Sequence, residues 1–400
     1  MDPISTGLGG ALLARALPGE ENAQRPEGSG LGAPRLWTTT TLTVTAAAVL
    51  PDVDIVFDIF SSDALASLTL HRAFTHSYLG AVVMAPLVAL AVGRWRRDLS
   101  FARLASLALL GFLWHIFTYL CTSLGTIVYW PFSRERVAWD ILFIIDFTFT
   151  AVLLLPHLLA WTYRERAGAL RRGALIGTAL AGLTAALVGL GPLVLGVPYD
   201  WALLGLLLAG EAALLAGPAV AGWGFRRPAA FYCRAGIVAL ALYLSVCTWA
   251  HTMALKRVEE FSAARGLQVE AQAAIPQPLS PFRWSGLVRT PEGVYQGWLN
   301  VLAPPAAGLE GSAAALEFFP SARNGQVERA SALPATKTYL WFARFPVVSY
   351  REPESGEEAG RHIVEYTDLR FRLPYRRNPF VFRVVLNADG RARAAGFADR

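Results

Sequence analysis

The sequence predicts an all-α membrane bundle of about seven spans, followed by a small β-rich domain outside the membrane. Three observations carry this reading. The chain is 54% hydrophobic and only 16% charged, with a mean hydropathy of +0.39, whereas a soluble domain carries about 25% charge. Several apolar runs approach the roughly 20 residues that a helix needs to cross a bilayer. From Lys256 onward the character changes: charge and proline return, and no membrane-length apolar run follows. The expected division is therefore residues 1–255 for the membrane domain and residues 256–400 for the β-rich domain.

The elements follow in order. Ile4 to Leu17 is mildly apolar and glycine-rich, without the basic flank of a signal peptide. Glu20 to Gly32 reads as a loop. Leu36 to Leu50 is a short, threonine-rich first segment that either spans or enters the membrane partway, and Pro51 ends it. Further spans are expected at Ser77 to Gly93, Phe101 to Cys121, Trp139 to Tyr163, Ala174 to Gly196, Trp201 to Gly222 and Ala235 to Leu255. In the last region, Thr338 to Tyr350, His362 to Leu373 and Phe380 to Leu386 are dense in aromatic and β-branched residues and read as strands. Asp389-Gly390 then signals a hairpin turn.

Arginine sets the expected orientation. The loops Arg94 to Arg103, Arg164 to Arg172 and Arg226 to Arg234 are arginine-dense and alternate with poorer ones. Dense loops stay in the cytoplasm. That places Asp52 to His76, Thr122 to Ala138 and everything after Lys256 on the outer side. The net charge of +6 belongs to these topogenic clusters, and no basic run with interleaved aromatics points to nucleic acid. The three cysteines, Cys121, Cys233 and Cys247, form no CxxC pair and read as small apolar packing residues.

Against this apolar background one cluster stands out: Pro51-Asp52-Val53-Asp54, then His71-Arg72-Ala73-Phe74-Thr75-His76-Ser77. Ionisable groups at a membrane edge are costly and usually functional, and carboxylates with imidazoles suit a divalent metal. Asp52 and Asp54 lie two apart, so an extended segment points both one way. The other reading is a helix-stop turn with solvated caps. His71 and His76, five apart, would sit about 140° apart on a helix, so a turn must bring them together. Thr75 or Ser77 is a candidate N-cap for the span that follows. His115 and Asp146 each lie about 10 Å inside the outer end of their spans, a matching depth that invites pairing, either structural or as a ligand and its support. His157, His251 and His362 read as bland, and the intramembrane Glu211 calls for a partner. There is no GxSxG elbow, HExxH, Walker loop or GxGxxG before a helix.

These residues resemble a known group. Pro51-Asp52-Val53-Asp54, the HRxxTHS element at His71 to Ser77, and His115 followed by Gly125-Thr126 and Trp130-Pro131-Phe132-Ser133 are similar to the YdjM-like family of inner-membrane proteins. That family is described as metal-dependent hydrolases. Met1-Asp2-Pro3-Ile4 and Ile144-Ile145-Asp146 also look like it, and Pro281-Phe282-Arg283-Trp284 and Thr367-Asp368-Leu369-Arg370-Phe371 resemble parts of its longer members. There are two departures: Ser5 and Thr6 stand where the family has His, and Tyr119 stands where it has Asp.

The resemblance implies a multi-pass, metal-dependent hydrolase of the bacterial inner membrane, and a site at the outer membrane edge suits a lipid-like ester or phosphodiester as substrate. Asp52, His71, His76 and His115 would hold a divalent ion, with zinc expected. Asp54 or Asp146 would accept a proton, and Arg72 would meet an anionic group. Membrane lipid is the expected partner. The competing reading, favoured by the substitutions at Thr6 and Tyr119, is a non-enzymatic membrane protein with a structural or relic metal site and a β domain that engages a partner.

Overall fold

The computed structural model describes residues 1–18, 38–56, 65–69, 72–195, 201–303, 316–355, 358–373, 378 and 380–398. The N-terminal half is mostly helical. Its helices are α1 (Pro3–Ala16), α2 (Thr39–Val49), α3 (Tyr78–Trp95), α4 (Phe101–Leu120), α5 (Phe147–Thr162), α6 (Ala169–Leu195), α7 (Trp201–Val220) and α8 (Ala229–Ala264). Two compact units form. The first holds residues 1–52, 78–118 and 145–245; the second holds 53–77, 119–144 and 246–400. The boundary expected at residue 255 falls inside α8.

Of the roughly seven spans expected, helix length and composition support four. Among the described residues, four helices are long and apolar enough to cross a membrane: Tyr78–Trp95, Phe101–Leu120, Ala169–Leu190 and Ala229–Ala264. The first segment is the 11-residue α2, which at 1.5 Å per residue covers roughly half a bilayer core. The fourth expected span begins not at Trp139 but at Phe147, because the Asp146 side chain accepts from the Phe149 N–H at 2.9 Å and caps α5 there. α7 is also apolar, over Trp201–Val220.

In the first unit, glycine lets helices approach. A Cβ on Gly9 would fall 2.1 Å from the Trp114 ring, and one on Gly236 2.3 Å from Pro156. Small residues that permit close backbone contact are the usual solution where no hydrophobic effect drives helices together. The Trp114 indole donates to the Thr6 carbonyl at 2.9 Å, and Ser5 pairs with Thr150 at 2.6 Å. His157 lies between the Arg15 guanidinium (2.9 Å) and the Leu8 carbonyl (3.2 Å), a structural position. Glu211 finds its partner in Thr184, whose hydroxyl donates to it.

In the second unit, two four-stranded antiparallel sheets follow α8. The first contains β1 (Ala271–Pro276), β2 (Arg283–Thr290), β3 (Gly293–Asn300) and β4 (Glu317–Pro320), none of which the aromatic-density reading found. Ala250, Ala254, Val258 and Phe261 of α8 pack on Trp284, Val288 and Leu299 of one face. Ile275, Leu287 and Val294 bury the other face with Phe345 and Leu369. The second sheet contains β5 (Pro346–Arg351), β6 (His362–Asp368), β7 (Val381–Leu386) and β8 (Ala392–Phe397), covered by helices α9 (Gly325–Ala332) and α10 (Pro334–Phe342). The strand expected over Thr338 to Tyr350 is thus divided. Pro334 starts a helix that runs to Phe342, burying Tyr339 and Phe342 on one side, and only the later residues form β5. The turn at Asn387 to Gly390 does join β7 to β8, with Gly390 at φ 79°.

Arg370 and Asp368 are both buried, 1% and 0% exposed, and paired at 2.7 Å. Arg370 also donates to the carbonyls of Ser123 (2.9 Å) and Phe342 (2.8 Å). Tyr339 receives the Asp368 N–H and donates to the Phe380 carbonyl. Burial, and then the Asp368 carboxylate, push its phenol pKa upward. Removing one partner of a buried pair leaves an uncompensated charge. Asp368→Ala is therefore expected to destabilise the protein by about 3–5 kcal/mol, seen as a lower midpoint in denaturant unfolding.

Candidate metal centre

The site is built outward from the end of α2. Gly111 of α4 faces that helix, and a Cβ there would meet the Val44 carbonyl oxygen at 2.4 Å and the Ala47 Cβ at 2.8 Å. One turn further along α4 is His115, fully buried. The close approach brings its Nδ1 to 2.7 Å from the Ala48 carbonyl oxygen in the last turn of α2. A carbonyl only accepts, so Nδ1 carries the proton and Nε2 keeps its lone pair. Pro51 follows the end of α2, and the chain tightens into a 3-10 turn, Leu50–Asp54. That turn sets Asp52 Oδ1 3.7 Å from His115 Nε2.

His76 is positioned by a separate network. It closes a 3-10 turn, Phe74–His76, and is fully buried. The Thr75 hydroxyl donates to Asp54 Oδ2 at 2.6 Å. His76 Nδ1 lies 2.9 Å from that hydroxyl and 3.3 Å from the same carboxylate oxygen. The hydroxyl's own hydrogen goes to Asp54, so it can only accept from His76, and the ring is then protonated at Nδ1, leaving the Nε2 lone pair for a ligand. An imidazole steadied through Nδ1 by a carboxylate is the usual outer support of a metal-binding histidine.

One ligand atom each from Asp52, His76 and His115 lies within 4.8 Å of the others. One carboxylate and two imidazoles form a donor set suited to zinc or a similar ion. The residues present therefore fit a divalent metal. His71 lies outside the described residues.

The residues expected to act beside the metal are placed as follows. Asp54 is 7% exposed, accepts from Thr75 and from the Arg72 backbone N–H at 3.3 Å, and lies 3.3 Å from His76 Nδ1. Asp146 caps α5 and accepts from the Tyr243 hydroxyl at 2.8 Å. His115, its expected partner by depth, bonds Ala48 instead. Ser77 stands before α3 with its hydroxyl on the Phe74 carbonyl. Arg72 is 6% exposed, with a left-handed φ of 66°. Its guanidinium lies 4.5 Å over the Tyr119 ring and reaches the Gly125 carbonyl at 3.4 Å. Tyr119, 2% exposed, also meets the His76 ring edge-on at 4.6 Å. Arg136 reaches the same Gly125 carbonyl at 3.3 Å; burial, Arg72 and Arg370 together push its pKa down to about 9.

Sequence reasoning missed Gly111 and Ala48, which set His115, and Thr75's bond to Asp54. A glycine four residues before a buried histidine is a readable signal of close packing only once the facing helix is known.

Two comparisons find nothing: no curated protein and no solved structure matches the chain. A family model described as YdjM inner membrane protein matches residues 1–192.

The supports generate a prediction. Asp54→Asn and Thr75→Val should each weaken zinc binding by about 10- to 100-fold, measured by competition with a chromophoric chelator. Gly111→Val should weaken it at least as much, because it drives α2 from α4 and takes the Ala48 carbonyl from His115.

Proposed function

With residues 1–192 belonging to the YdjM inner membrane protein family, we propose that this is a membrane-bound, metal-dependent hydrolase working at the outer membrane–water boundary. The observation that carries the reading is the arrangement of Asp52, His76 and His115, with each imidazole held through Nδ1 and its other nitrogen kept for a ligand. A divalent ion held there would supply Lewis acidity, making water acidic near neutral pH and polarising an ester or phosphoryl oxygen.

The chain's own residues do the rest. Asp54 and Thr75 fix the His76 ring, and Ala48 fixes His115, so the ligands need no reorganisation. Asp54 is the carboxylate that stands behind His76, and its hold on Thr75 and the Nδ1 side of the ring keeps that imidazole oriented and raises its basicity as a ligand. Arg72 supplies positive charge beside this network and suits a phosphate or carboxylate. The apolar helices on either side favour a lipid-like ester or phosphodiester as substrate. The arginine-dense loops support a cytoplasmic side opposite the site, with the C-terminal domain extracytoplasmic.

The positions of Thr6 and Tyr119 favour one competing reading. The Thr6 hydroxyl is turned onto the Asp2 and Pro3 carbonyls of its own helix, and Tyr119 fills the space beside His76 with a ring. A protein that binds metal without turnover fits these features.

Metal content of the detergent-purified protein tests the reading, beside His76→Ala and His115→Ala variants whose folding is verified by circular dichroism. Near-stoichiometric zinc or manganese in the wild type, lost in both variants, is expected, together with metal-dependent turnover of chromogenic phosphodiesters or esters in mixed micelles. Absence of metal after reconstitution would sink the metal centre. Metal without turnover of any ester class would leave the binding protein.

A further inference from the structure

The loop between α4 and α5 presents aromatic surface that the metal centre does not use. Phe132 is 86% exposed and Tyr129 is 54% exposed. The turn that carries them is closed by the N–H groups of Phe132 and Ser133, both donating to the Tyr129 carbonyl, at 2.9 and 3.1 Å. Its base is fixed. Ile127 and Val128 are buried, Ile127 N–H donates to the Arg72 carbonyl at 3.2 Å, and the Trp130 ring meets Phe74 edge-on at 5.5 Å. The two exposed rings thus project from a base tied directly to the turn that bears His76.

A single exposed aromatic on a soluble protein needs no explanation. This loop, however, leaves α4, one of the four helices able to span, and aromatic rings at span ends favour the headgroup layer. Arg134 and Glu135 follow, both exposed, so local charge nearly cancels. Anionic lipid adds little attraction here, and the rings must carry the affinity. We propose that the Tyr129–Phe132 turn is an interfacial anchor, its rings seated among phospholipid headgroups and upper acyl chains, which holds the Arg72–His76 segment at that depth. The anchor does not depend on the metal reading and survives its failure.

The native cysteines are all buried, so Phe132→Cys and Tyr129→Cys each introduce one accessible thiol for an environment-sensitive fluorophore. Glu354→Cys, at an exposed site on the second unit, is the aqueous control. The full chain is studied in phosphatidylcholine nanodiscs with a nitroxide lipid labelled high on its acyl chain, or with iodide in the buffer. At positions 129 and 132 the expected result is blue-shifted emission, quenched several-fold more by the nitroxide lipid than by iodide, with the reverse at 354. Quenching dominated by iodide at both loop positions would overturn the anchor. So would protection from both quenchers, which would place the rings under protein. If one variant fails to fold, the other decides by the same criteria.

Discussion

An imidazole offers a lone pair from only one nitrogen at a time, and what holds the other nitrogen decides which. In this protein that constraint organises the surroundings of both central histidines. His115 gives its Nδ1 proton to a backbone carbonyl at the end of a helix. His76 gives its own to a hydroxyl and carboxylate that already bond each other. Each arrangement needs a particular close approach: Gly111 against Val44 and Ala47 in one case, and the paired 3-10 turns Leu50–Asp54 and Phe74–His76 in the other. The acid side chains divide accordingly. Asp52 faces the histidines, Asp54 stands behind one of them, and Asp146 serves a helix end.

Much of this was legible in the sequence, and the limits are physical. Asp52, His76 and His115 stood out because polar groups are conspicuous in apolar segments, and apolar composition located the four long helices well. Partners were not legible. The acceptor for His115 is a backbone oxygen 67 positions away, and a backbone oxygen has no sequence signature. Depth arithmetic put Asp146 beside His115 because it assumed that the fourth span began at Trp139. The N-cap at Asp146 moves that helix start and with it the acid's role. The aromatic run from Thr338 failed for a related reason. Aromatics at strand density also suit a short helix with one buried side, and the proline at 334 decided between them.

Positive charge is handled in an unusual way in the second unit. Arg72, Arg136 and Arg370 all donate to carbonyls of the loop Ser123 to Gly125. Guanidinium groups have five donors in a rigid plane, so they can tie irregular backbone together where no ladder exists. Aromatic faces cover what carbonyls leave: Tyr119 for Arg72, Trp341 and Phe342 for Arg136, and Phe342 and Phe371 for Arg370. The loop that follows α4 thus owes its shape to side chains from remote parts of the sequence. Gly125, at φ 64° and with no room for a Cβ beside the Val137 carbonyl, lets that loop close.

The same packing bears on how this chain came to be assembled. Leu65, Leu68 and Leu124 lie between and after the elements that bear the candidate ligands, yet they are cored with Tyr339, Tyr366 and Phe382 of the second sheet and its helices. Arg370, from the far end of the chain, completes the backbone bonding at Ser123. The family model ends at residue 192, but the folding unit does not. The C-terminal sheets are therefore not a passenger fused to a self-sufficient membrane core. They and the segments 53–77 and 119–144 form one compact unit, so a cavity opened under the second sheet is felt at the turns that bear Asp54 and His76.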